Sequence, residues 1–372
     1  MTNFDDNQLQ LSFMSLKLRL FVAIFFFAIT GAFGQKVLKV AVVGLNHDHV
    51  HLLFNLYQQK KVEILGIAEP DGNLVKRMQA RYNLPTSLFY KSLNELLMNV
   101  KPMAVLAYNP TSEHVNVAEI CMPLKIPVMV EKPLAVNMDQ AERIGQLAKE
   151  NKTLFLTNYE TTWYKSNQYI KSLIKQNEIG PITKMMVKDG HEGPKEIGCS
   201  NDFLNWLTDP VKNGGGALMD FGCYGANLMT WLKDGKKPVA VTAITKNRKP
   251  AVYPKVDDDA TITLEYEDGT IGIIQASWCW PYSVKDLQIV GERDQLHAVN
   301  NNMLLKYQSP IESEKIPLTN TYYEDQLEYL TAVLNQQVKI DNDLSSLDNN
   351  LIVVEILEAA KKSAKEGKRI VL

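Results

Sequence analysis

Apolar residues enter the chain in runs. Residues 36–43 form a continuous β-branched stretch that stops at Gly44. A polar turn follows, then a helical stretch over 50–59 and a second apolar run over 62–68, ending in Glu69-Pro70-Asp71. Strand, turn, helix and strand in that order predict a βαβ unit. The alternation continues with helices expected over 73–82, 92–98, 112–121 and 138–151, and strands over 104–107, 127–130 and 153–156. Strands that are apolar throughout, alternating with helices, read as a parallel sheet covered on both faces. Residues 35–157 therefore predict an α/β domain, a doubly wound Rossmann-type sheet.

Beyond residue 158 the texture changes. Period-two alternation over 182–188, 239–246, 260–266, 270–277 and 287–291, with Glu267-Asp268-Gly269 as a hairpin turn, predicts an α+β domain over 158–372 built on an open, mainly antiparallel sheet. Helices are expected over 166–176, 217–232, 323–337 and 347–366. The composition, 45% hydrophobic and 22% charged over 372 residues, is that of a globular chain with room for roughly two domains.

Ahead of both domains, Lys17 and Arg19 precede an apolar run from Leu20 to about Phe33, and Ala32 and Gly34 stand as small residues before Gln35. This is the layout of a secretory signal over residues 1–34. The run is shorter than the roughly 20 residues of a spanning helix, so no membrane attachment is expected after its removal. A periplasmic or secreted protein is predicted, and without a twin arginine it would be exported unfolded. The 40 Lys and Arg nearly balance 42 Asp and Glu, and no basic run offers a footprint for nucleic acid, so small molecules are the expected partners. Cys121, Cys199, Cys223 and Cys279 are scattered and show neither a disulfide framework nor zinc-finger spacing.

The turn Gly44-Leu45-Asn46-His47-Asp48-His49 stands where a dinucleotide fold keeps G-x-G-x-x-G, and Glu69 stands where an acid holds the ribose hydroxyls. Only the first glycine survives; Asn46 and His49 replace the others. The acid disfavours a 2′-phosphate, so NAD is favoured over NADP. His47, His49 and His51 straddle the turn and the helix start, which argues against convergence on one ion, and no metal is expected. Glu131-Lys132-Pro133 follows a strand at the ligand-binding edge of the sheet, with Lys132 stiffened by the proline after it. In the second domain Gly214-Gly215-Gly216 opens onto a helix where Asp220, Tyr224 and Asn227 share one face at i, i+4 and i+7. Among the aromatic and polar residues near predicted strand ends, Tyr159 and His191 are substrate-contact candidates with Asn227, His191 on its glycine-flanked loop first.

Glu131-Lys132-Pro133 followed by Gly-Gly-Gly-Ala-Leu-Met-Asp-Phe-Gly-Cys-Tyr resembles the Gfo/Idh/MocA oxidoreductases, with spelling similar to the glucose-fructose oxidoreductase branch. The resemblance extends to Asn109-Pro110 with His114, and implies NAD-dependent redox chemistry on a sugar or polyol. It implies Lys132 as catalytic lysine, Asp220 as its second-domain aspartate and Tyr224 as acid/base. Gly44, Asn46, His47, Glu69, Asn109, Pro110, His114, Glu131 and Lys132 would hold the cofactor. A cation near the phenol is expected to lower its pKa toward ionisation. A homo-oligomer, dimer or tetramer, is expected of an open sheet. An exported enzyme meets no free nicotinamide pool, so a redox-neutral glycoside-cleaving enzyme and a non-catalytic sugar-binding protein on a decayed Rossmann fold stay open as alternatives.

Overall fold

The computed structural model describes residues 37–307, 309, 312–318 and 323–372; the expected secretory signal over 1–34 lies outside them. Strands β1 (Leu38–Val43), β2 (Val62–Ala68), β3 (Phe89–Tyr90), β4 (Ala104–Ala107), β5 (Val128–Glu131) and β6 (Phe155–Asn158) pair in parallel in the order β3-β2-β1-β4-β5-β6. The order reverses between β1 and β4, where an open α/β sheet leaves its ligand crevice. Helices α1 (Val50–Gln58), α2 (Gly72–Tyr82), α3 (Leu93–Asn99), α4 (His114–Cys121) and α5 (Met138–Asn151) connect the strands. Local chemistry sets their ends: the side chains of Asp71, Ser92 and Asn137 accept the first-turn amides of α2, α3 and α5. The continuous apolar runs became β4 and β5 because all four residues of each are buried.

The second domain holds α6 (Lys165–Lys175), β7 (Ile182–Gly190), α7 (Asn201–Leu207), α8 (Ala217–Asp220), α9 (Gly222–Leu232), β8 (Ala240–Lys246), β9 (Asp259–Glu265), β10 (Ile271–Ser277) and β11 (Val284–Gly291). It continues through β12 (Gln295–Asn300), β13 (Met303–Tyr307), β14 (Ser313–Ile316), α10 (Gln326–Leu334), α11 (Leu347–Glu366) and β15 (Ile370–Val371). Among the described residues its nine strands run β14-β13-β12-β11-β7-β10-β9-β8-β15, antiparallel except where β7 meets β10. Strands β12 to β14 extend the sheet beyond the expected elements.

Both domains belong to one compact unit, Lys39–Leu372, and α11 joins their cores. It gives Val354 to the apolar cluster of the parallel sheet, and Val353, Ile356 and Leu357 to the cluster under the second. Each of these fully buried side chains contributes roughly 1.5–3 kcal/mol.

The single helix expected over 217–232 is broken at Phe221, between α8 and α9. The break has a hydrogen-bonding consequence. Tyr224 N donates to Phe221 O (3.1 Å), so the carbonyl of Asp220, which a continuous helix would have used four residues on, is left to accept from elsewhere.

Candidate active site

At the crevice, β1 delivers Gly44 with φ of +78°, pressed so closely on Asn109 that a Cβ would stand 2.7 Å from its backbone nitrogen. Only glycine meets both demands. Leu45 N donates to Glu69 Oε2 (3.0 Å) and Asp71 N to Glu69 Oε1 (2.8 Å), fixing that carboxylate at the end of β2; burial raises its pKa despite the two amides. Asn46 Oδ1 and Asn109 Oδ1 are buried acceptors without a protein partner. Pro110 is buried beside them and begins the turn into α4. His114 is buried, with Nδ1 3.0 Å from Leu134 O and Nε2 unpartnered, and burial lowers its pKa to about 4.

The imidazoles do more than flank the turn. His49 N donates to His47 Nδ1 (3.1 Å), which leaves the proton of the neutral His47 ring on Nε2. Burial holds His47 well below its ordinary pKa. His49 Nδ1 lies 2.9 Å from Glu131 Oε2, whose partner oxygen accepts from Asn158 Nδ2 (2.8 Å). His51 turns away to Tyr82 Oη (2.7 Å). The three histidines do not converge, as expected, but two of them meet an acid: donor atoms of His47, His49 and Glu131 lie within 4.8 Å of one another, held by the group's own hydrogen bonds. Helix α7 seats on this turn. Trp206 Nε1 donates to Asn46 O (2.9 Å), Ser200 Oγ to Asp48 Oδ1 (2.6 Å), and Phe203 packs on His47.

The residues present fit a nicotinamide dinucleotide. Glu69, Asn46 and Asn109 offer acceptors suited to ribose hydroxyls at the switch point, and Gly44 permits close backbone approach. The substituted turn spends the Leu45 and His49 amides internally, so it has fewer donors to give a pyrophosphate than a glycine-rich turn.

Beyond the turn a cleft of about 1170 Å³ runs into the second domain, lined by His49, Lys132, His191, Asp220, Tyr224 and Lys285 among others. Lys132, at the end of β5, donates through Nζ to Asp220 Oδ1 and to the Asp220 carbonyl freed by the helix break (3.1 Å). Trp278 Nε1 holds the other carboxylate oxygen (2.9 Å). Burial opposes both charges. Charge and hydrogen bond across the pair, with smaller help from Cys223 for the lysine and from Trp278 and His191 for the acid, together outweigh that burial, holding Lys132 above and Asp220 below its ordinary pKa. Asp220 thus orients the lysine.

Tyr224 departs from expectation. Lys132 Nζ stands over the face of its ring, 5.1 Å from the centroid, and burial together with Glu160, Asp189 and Asp220 raises the phenol well above 10. The anticipated lowering by Lys132 does not occur, because the cation is spent on Asp220 and carboxylates surround the ring. His191 lines the cleft; its Nδ1 accepts Gly193 N (2.8 Å), leaving a proton on Nε2, and burial lowers its pKa. Two substrate candidates are corrected. Tyr159 is fully buried and packs edge-on against Tyr224 at 5.4 Å, a core contact. Asn227 does not line the cleft but faces α11, donating to Leu344 O (2.8 Å) and Asn350 Oδ1 (3.2 Å).

Three charged groups of this site escaped the sequence reading. Lys285 Nζ pairs with Glu160 Oε2 (2.5 Å) and stands 4.6 Å from the Tyr224 ring centre, and Asp189 lies opposite Lys285 in the β7–β11 register. The available signal was an acid at a core-parity position of the alternating strand 182–188 extended by two residues.

An α/β dinucleotide fold whose buried lysine is clamped by an acid of a second, sheet-based domain defines a two-domain nicotinamide oxidoreductase. Residues 38–159 match the model of the oxidoreductase family with NAD-binding Rossmann fold, and residues 167–297 match the GFO/IDH/MocA C-terminal domain. The chain belongs to the Gfo/Idh/MocA oxidoreductase family. It is similar to trans-1,2-dihydrobenzene-1,2-diol dehydrogenase of Bos taurus, 22% identical over 64% of this chain and 67% of that one. The Xenopus tropicalis enzyme of that name is 26% identical over 55% of this chain and 57% of its own length. Aldose-aldose oxidoreductase from Caulobacter crescentus, complexed with glycerol, shares the fold at a TM-score of 0.76 and 18% identity, covering 91% of this chain and all (100%) of its own. An inositol dehydrogenase homolog from Azotobacter vinelandii, complexed with NAD+, does so at 0.76 and 16%, covering 90% and 97%.

Proposed function

We propose that the protein exchanges two electrons between a nicotinamide dinucleotide and a hydroxyl or carbonyl carbon of a sugar or polyol. The observation that carries this reading is the Lys132 ammonium, clamped by Asp220 at the edge of the parallel sheet and opening, with Tyr224, into the cleft. When bound, the dinucleotide supplies the electron acceptor or donor, held by Gly44, Asn46, Glu69 and Asn109. The chain supplies the proton traffic and the orientation.

Tyr224 keeps its proton at neutral pH, and Lys132 and Lys285 keep theirs. His191 presents an Nε2–H donor. Such donors suit a carbonyl or hydroxyl oxygen: Lys132 and His191 polarise it, and Tyr224 gives up its proton as the carbonyl is reduced, becoming a phenolate that solvent must reprotonate. Oxidation runs the same step backwards, so the burial and the Glu160 and Asp220 carboxylates that raise the phenol disfavour its phenolate equally in either direction. The sugar or polyol class is supported by the aldose-aldose oxidoreductase and inositol dehydrogenase homolog that share the fold.

Export is inferred from the signal-like residues 14–35. A chain exported unfolded carries no dinucleotide with it, so turnover outside the cytoplasm would need one taken up after folding, kept bound and restored within the cleft by a second substrate. Mass spectrometry of the supernatant of the denatured, purified protein tests this, and a released nicotinamide dinucleotide is expected. Protein bearing none, and unable to bind added NAD or NADH, would remove the redox reading. Turnover of a glycoside with no change in nicotinamide absorbance would select the redox-neutral cleavage instead.

A further inference from the structure

Along β7 the alternation puts Asp189 on the same face as Met185 and Val187, toward the core beneath α9. It is 1% exposed, and neither carboxylate oxygen has a hydrogen-bond partner. A buried carboxylate in that state is costly, and a protonated one far less so. Its cross-strand neighbour on β11 is Lys285, whose ammonium does not turn back to it but goes to Glu160 and the face of Tyr224.

The charged and titratable groups facing Asp189 come from every element packed around it. They are Lys285 on β11, Glu160 and Tyr164 after β6, Lys132 at the end of β5, Asp220 on α8, and Cys223 and Tyr224 on α9. The two cations are each engaged by another carboxylate, Lys132 by Asp220 and Lys285 by Glu160. A charge on Asp189 would be a third negative beside two matched pairs. Burial raises its pKa to about 8, with Lys285 and Lys132 pulling down and Glu160 and Asp220 pushing up.

We propose that Asp189 is a positioning residue of the cleft that acts through Lys285: as the neutral acid it leaves the ammonium to Glu160 and Tyr224, and as the carboxylate it draws the ammonium toward β7. The proton that leaves Asp189 goes to solvent, and no other bond changes. The consequence is a cation beside the Tyr224 phenol in acid and neutral solution and withdrawn from it in alkali. That consequence rests on the reading of the cleft as the reacting site; the titration and the movement of the cation belong to the protein itself.

Urea unfolding of the wild type and Asp189→Asn across pH is the first test. The folded state holds a proton that the unfolded carboxyl releases near pH 4, so wild-type stability should fall relative to the variant from about pH 4 to about pH 8 and level above it. A gap that does not change with pH overturns the proposal. The second test labels lysine at Cε with carbon-13 and assigns the Lys285 resonance by its loss in Lys285→Met, with Lys285→Gln as the alternative if that variant fails to fold. The resonance should move with a midpoint near 8 in the wild type and stay still over that range in Asp189→Asn. A Lys285 signal that does not move in the wild type, or moves equally in both, also overturns it. Both titrations in a protein that binds no dinucleotide would sink the proposed function and leave this inference standing.

Discussion

The carboxylate of Asp257 accepts the amides of Gly216 (3.0 Å) and Leu218 (2.7 Å), and its carbonyl oxygen lies 1.8 Å from where a Gly216 Cβ would be. The glycine triplet therefore serves a neighbouring element of the protein. Asp257 caps the start of α8, and α8 carries Asp220 to Lys132. Gly216→Ala is expected to cost about 3 kcal/mol through overpacking against backbone that cannot yield. Urea denaturation measures this, and an unchanged midpoint would show that the Asp257 loop gives way.

Removing the acid of the buried pair leaves a lone ammonium. Asp220→Asn should lose roughly 3–5 kcal/mol at neutral pH. The folded pKa of Asp220 is depressed, so its contribution is present above the unfolded value of about 3.9 and fades as the pH falls below it. Lys132 is raised, so its share persists until the pH climbs past about 10.4. The stability gap between wild type and Asp220→Asn should accordingly shrink in acid. A gap that is constant from pH 7 down to about 2 would mean that the pair carries no coupling.

Tyr224→Phe takes away one oxygen while keeping the ring that packs on Tyr159. Turnover is expected to fall about 10²–10⁴-fold with dinucleotide affinity nearly intact. Single-turnover absorbance and equilibrium dialysis separate the two, and a variant that turns over like the wild type would take Tyr224 out of the proton path.

Glu69 spends both oxygens on turn amides and stands where ribose hydroxyls would lie. Glu69→Ala should weaken NAD binding by about 10-fold or more and narrow the preference over NADP. Calorimetric titration with each dinucleotide decides it; equal losses for both would assign Glu69 to the turn's shape alone.

The sequence made most of this architecture readable where its signals were local. The run 36–43 ending at Gly44, the acid after 62–68 and the lysine before Pro133 each announced an element and its chemistry together. What stayed hidden depended on register. Lys285 and Asp189 are nearly a hundred positions apart and meet only because β11 pairs with β7, which no spacing records. Asn227 shares the polar spacing of Asp220 and Tyr224, yet its amide is spent on Leu344 and Asn350. Tyr159 stood as a substrate-contact candidate, yet it is buried edge-on against Tyr224. Strand β12 alternates over Gln295-Leu296-His297-Ala298 but only briefly, and β13 and β14, at the sheet's far edge, carry little alternation to read.

The Lys132 contact has one more effect. Its ammonium comes from the parallel-sheet domain and its acceptors from the other, so the same bond that readies the reacting cation also bolts the two halves shut. Opening far enough to exchange a large passenger would expose a buried, matched charge pair, which a small guest entering the cleft does not require. Under the proposed function, the dinucleotide would therefore be expected to exchange more slowly than the smaller substrate.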